Sequence, residues 1–70
     1  MTELELYEIY EKSKKICIYL TNGKMAEGNV YSFTQAVDND PEIASIAIED
    51  ENGQLHGYGQ DEIESIEVLE

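Results

Sequence analysis

The sequence has no arginine, and past Lys24 it has no lysine either. Its positive charge rests on Lys12, Lys14, Lys15 and Lys24, against 16 Asp and Glu, for a net charge of −12. Residues 1–24 contain Glu3, Glu5, Glu8 and Glu11 and are balanced by those lysines. The other twelve carboxylates all lie in 25–70, which carries the whole net charge. A surface of that sign repels phosphates and anionic lipid headgroups and attracts basic protein surfaces. Neither nucleic acid nor membrane is an expected partner. The plainer reading of the charge is solubility.

Cysteine and histidine are nearly as scarce, with one of each. Cys17 alone excludes an intramolecular disulfide, and with His56 as the one imidazole there is no set for a structural zinc. No apolar run is long enough to span a membrane, and the acidic start lacks the basic region of a signal peptide. The expected compartment is the cytoplasm. Seventy residues suffice for a single domain, 1–70, with a small core and no deep cavity. No cofactor is expected.

What is present is patterned, with 41% apolar residues in organised runs. Thr2 and Glu5 have the spacing of a capping box, and Leu6, Ile9, Tyr10 and Ser13 follow on one helical stripe. Glu8–Lys12 and Glu11–Lys15 are acid-first i,i+4 pairs, so a helix is predicted over 3–14. From Ile16 the period changes to two: Ile16, Ile18 and Leu20 share a face. Asn22-Gly23 predicts a hairpin turn joining two strands, since both positions tolerate φ > 0. The second strand, 24–33, contains Gly28, where a bulge or sharp bend is expected. A turn-rich loop, 35–42, precedes strands over 43–49, 54–58 and 63–69, with Asn52-Gly53 between the first two. One helix and five short strands, one of them bent, predict a mainly β, strongly bent antiparallel open barrel.

That order, with Leu20-x-x-Gly23, Gly28 and then Tyr31-Ser32-Phe33, resembles the Sm-like small barrels over roughly 16–69. The resemblance implies that fold, and in that family RNA binding by oligomers. The family's RNA-binding positions have no counterparts here. Thr34 follows Phe33 where an aspartate is expected, and Tyr58-Gly59 replaces Arg-Gly before the last strand. Without a cation at the site, phosphate binding forfeits most of its affinity. In size, helix, barrel and acidity the chain also resembles the Rof-type inhibitors of the transcription terminator Rho. That resemblance implies a negative surface occupying a partner's RNA-binding cleft.

Three constellations have residue types that could carry chemistry. Asp38, Asp40 and Glu42 alternate as calcium ligands do, but Ile43 stands where an EF-hand needs glycine and Pro41 stiffens the middle. A solvated acidic loop is expected. Cys17 and His56 lack an orienting third residue, so a nucleophilic pair is not expected. The five tyrosines lie among glutamates rather than lysines, which suits core and interface positions better than base stacking.

The expectation is thus a non-enzymatic acidic interaction module that binds the basic surface of a protein partner. Its candidate contact residues are Tyr31, Phe33 and Tyr58, with Asp38, Asp40, Glu42, Asp61 and Glu62 beside them. The lysines of the helix could complement another copy's acidic barrel, which makes a homo-oligomer a further expectation. The alternatives are an Sm-like RNA-binding oligomer and a small enzyme or metal-binding domain.

Overall fold

The computed structural model describes all residues, 1–70. Helix α1 spans Glu3–Lys12 and opens on the expected box: Thr2 Oγ1 accepts from Glu5 N at 3.2 Å, and Glu5 Oε1 from Thr2 N at 3.0 Å. It ends two residues before the predicted limit, because Ser13 is extended and caps back to Ile9. Lys14 and Lys15 N–H groups both donate to the Glu70 carbonyl, at 2.7 and 3.2 Å, so strand pairing takes the residues that propensity gave to the helix. The expected Glu11–Lys15 pair is consequently absent, and Lys15 Nζ instead meets Glu27 across the sheet at 3.4 Å.

Five strands follow: β1 Lys15–Leu20, β2 Met25–Thr34, β3 Ser45–Glu49, β4 Leu55–Gly59 and β5 Ile63–Val68. All pairings are antiparallel, in the order β4-β3-β2-β1-β5. Two short 3₁₀ turns, η1 Ala36–Asp38 and η2 Gln60–Glu62, make the remaining connections. The fold is therefore mainly β, one five-stranded antiparallel sheet with an N-terminal helix. β4 and β5 are its edges and do not pair with each other, so the sheet is open and no closed barrel forms.

The sheet nevertheless curves strongly. Flat, the two edges would lie four strand spacings apart, roughly 19 Å. The connector η2 has only three residues, and four 3₁₀ steps cover about 8 Å. Its bonds span the gap: Gln60 N donates to the Ala44 carbonyl at 2.7 Å, and Thr21 N to the Glu62 carbonyl at 3.0 Å.

Both hairpin turns are three-residue loops. In the first, Gly23 N returns to the Leu20 carbonyl and Leu20 N to Lys24; in the second, Gly53 returns to Asp50 and Asp50 to Gln54. Only the glycines take positive φ, +87° at Gly23 and +79° at Gly53, while Asn22 stays in ordinary space. This is a type I turn closed by a left-handed glycine.

Gly28 is needed for a reason different from the one predicted. Its φ is not positive, and the register irregularity of β2 falls later, between Val30 and Ser32, leaving Tyr31 as the extra residue. A Cβ at Gly28 would lie 2.6 Å from the Glu49 carbonyl oxygen. The glycine lets β3 backbone close over β2.

The core follows the period-two faces: Ile16 and Ile18 from β1, Ile46 and Ile48 from β3, with Ala44, Ile63 and Leu6 of α1. Each fully buried isoleucine contributes about 2 kcal/mol of hydrophobic stabilisation. Cys17 alternates with Ile16 and Ile18 and pairs with Glu27 and Glu67, so it lies on the outer face, yet it is only 2% exposed. Two strands intervene between it and His56, and no Cys–His pair forms.

Candidate protein-binding surface

The loop after η1 is folded back onto β3 by one side chain. Asn39 Nδ2 donates to the Ile43 carbonyl at 2.7 Å and to Ser45 Oγ at 3.2 Å. With the loop tied down at Asn39, Asp40 and Glu42 are left exposed. At the facing corner, Gly59 N donates to Glu62 Oε1 at 3.0 Å. A Cβ at Gly59 would meet Asp61 Oδ1 at 2.7 Å, so this glycine gives the acidic side chains of η2 room to lie over the backbone. Loop and corner together enclose a shallow depression of about 370 Å³ whose lining includes Asp40, Tyr58, Asp61 and Glu62. A smaller hollow adjoins it through Ile43 and Asp61 and adds Glu42, Gln60 and Met1. Gln60 Nε2 donates to the Met1 carbonyl at 2.9 Å, which sets the start of α1 beside this acidic face.

Five of the eight predicted contact residues are therefore brought together: Asp40, Glu42, Tyr58, Asp61 and Glu62. Asp38 is exposed on η1 but lines neither hollow. Tyr31 is 56% exposed at the β2 irregularity, away from them. Phe33 is half-buried, with Tyr7 edge-on at 5.4 Å and Tyr10 stacked at 6.0 Å. Cross-strand register places Phe33, Ile46 and Tyr58 in one row on the core side of the sheet. Both aromatics pack against the core, so each stabilises the fold whatever else it touches.

A second acidic group was not legible in the sequence. Glu27, Glu49, Asp50 and Glu51 surround Lys15 and Asn29 in a depression of about 390 Å³. Only the β2–β3 register brings them together. Lys15 offsets part of their charge, and no aromatic lines that depression.

The ionisable groups with displaced pKa values have local causes. The His56 ring at 2.7 Å, then the Gln54 and Asn52 amides, hold Asp50 below the usual carboxylate range. The Thr2 amide and hydroxyl lower Glu5. Tyr7 is raised by its hydrogen bond to Glu11. Tyr19 is pushed up to about 12, first by its hydrogen bond to Glu67 at 3.0 Å and then by the neighbouring Cys17. No three His, Cys, Asp or Glu side chains converge as a metal site, and no helix is long and apolar enough to cross a membrane. What the acidic depression offers is a cluster of carboxylates around one tyrosine, with no lysine among its lining residues. Comparison with protein-family models, curated proteins and solved structures gives no match to this chain.

Proposed function

We propose that this chain is a non-enzymatic, acidic interaction module on an Sm-like open barrel, a regulator that occupies the basic, nucleic-acid-binding surface of a partner protein. The observation that carries this reading is the grouping of Asp40, Asp61 and Glu62 with Tyr58 in one depression, with Glu42 in the hollow adjoining it. A basic cleft built for phosphates presents spaced cations, and clustered carboxylates answer them as phosphates do. The strand order and the short η2 connector support the barrel reading, since they curl the sheet edges toward each other.

Charge at such a surface governs encounter more than lasting affinity. A partner recovered from native lysate should therefore elute as salt is raised, and single-stranded RNA should displace the chain from it. The double reversal Asp40→Lys/Asp61→Lys should slow association by about tenfold at low salt, with the difference shrinking at high salt. An unchanged association rate would leave solubility as the better account of the charge. Direct micromolar binding of U-rich or A-rich oligonucleotides at low salt would favour an RNA-binding module instead.

A further inference from the structure

Away from the acidic depression, a groove of about 410 Å³ runs along the other side of α1, lined by Glu3, Leu4, Tyr7, Phe33 and Gln35. Leu4 is 65% exposed and Tyr7 40%, one helical turn apart, which makes an apolar ridge along the groove wall. Phe33 stands edge-on against Tyr7 and stacks on Tyr10, a floor already ordered before anything binds. The Glu3 carboxylate accepts from the Ala36 amide at 3.4 Å and ties η1 to the helix, and Val37 of that turn is 69% exposed. Single exposed hydrophobics are ordinary surface. Here leucine, tyrosine and phenylalanine are contiguous and preformed, which is the character of a binding surface.

We propose that this groove receives a basic amphipathic helix of a partner protein. The occupant's charge follows from the walls. Glu3 is the one charged lining residue, Glu11 holds the Tyr7 hydroxyl, Asp38 follows Val37, and no lysine lines the groove. A second copy of the chain is a poor occupant, because two molecules of net charge −12 repel. The occupant's shape follows from the ridge: Leu4 and Tyr7, at i and i+3, accept apolar side chains spaced the same way on a facing helix. Lysines or arginines flanking that stripe meet the surrounding carboxylates and the faces of Tyr7 and Phe33. This site is separate from the depression over η2 and stands whether or not that surface binds.

The test uses the full chain and a fluorescein-labelled synthetic helix of about five turns, with leucines on one stripe and lysines elsewhere. Fluorescence polarisation at physiological salt should give saturable binding. Leu4→Gln, which keeps helix propensity, should weaken it by about tenfold, as loss of a central apolar anchor does. Leu55→Thr, at a leucine 51% exposed on β4, should leave it unchanged. A charge-matched peptide with serine for each leucine should bind at least about tenfold more weakly. Equal binding by Leu4→Gln, or by the serine peptide, would reduce the effect to the acidic field and overturn the proposal. A dimer seen by sedimentation and lost in Leu4→Gln would overturn it in favour of a second copy.

Discussion

The depression over η2 and the groove beside α1 differ in what they offer a partner. The first gathers Asp40, Asp61 and Glu62, with Glu42 in the adjoining hollow, and its aromatic, Tyr58, is half-buried against the core. The second has one charged lining residue, Glu3, and leaves Leu4 and Tyr7 open to solvent. The carboxylate cluster thus lies at one surface and the open apolar anchor, with its thinner acidic rim, at the other. The lesson is that attraction and residence can be carried by different surfaces of one small domain, so variants should separate them kinetically.

The largest effect should come from breaking the sheet that supports both. Gly28→Val places a Cβ 2.6 Å from the Glu49 carbonyl oxygen, a backbone atom that moves only with β3. Urea unfolding should show a loss of roughly 3 kcal/mol, at the upper end for overpacking. A strand with free space at that position would gain from valine instead.

Next in size is a contrast within β2. Phe33→Ala removes the groove floor and part of the packing on the core, and should cost about 2 kcal/mol. Tyr31→Ala, two residues earlier and 56% exposed, should stay within about 0.5 kcal/mol. Equal losses would mean that the helix aromatics do not cover Phe33.

Smaller still is the effect on stability of charge reversal over η2. Asp40→Lys with Asp61→Lys should change unfolding by no more than about 0.5 kcal/mol, because both groups are exposed. Association with a basic partner should slow nonetheless. A large loss of stability would show that these carboxylates hold the corner together rather than facing a partner.

The smallest effect is an acid one, on the helix that walls the groove. Glu5 is held below its usual value by Thr2. Its contribution to the cap is therefore complete above the ordinary glutamate range, about pH 4.3, and is lost as pH falls through the lowered value. Asp50, lowered by His56, loses its contribution to the β3–β4 turn in the same direction. Amide shifts of Glu5 and Asn52 should follow these two steps, and Glu5→Gln should remove the first alone.

The helix start was legible because a capping box is a matter of four consecutive residues, Thr2 to Glu5. The strands were legible within two residues because alternation at Ile16, Ile18 and Leu20, or Ile46 and Ile48, is local too. The helix end was misjudged, since Lys14 and Lys15 are claimed by Glu70, a residue at the far end of the chain. At Gly28 the requirement was readable but its cause was not, because the atom it avoids belongs to Glu49. The groove went unseen for the same reason: Leu4 and Tyr7 look like surface residues until β2 brings Phe33 beneath them.

The charge follows from composition, and the turns and the run of elements from residues close together in the chain. Asn22-Gly23 and Asn52-Gly53 favour turns, and a stretch with twelve carboxylates and no lysine past residue 24 is acidic in any fold. Which carboxylates share a surface and which aromatics remain open depends instead on packing between distant segments. The reason is distance along the chain: Asp40 and Asp61 line one depression because the sheet pairs β3 with β4, Ser45 opposite Gly59. Its curvature and cross-strand register come from packing the isoleucine core, which no local pattern specifies.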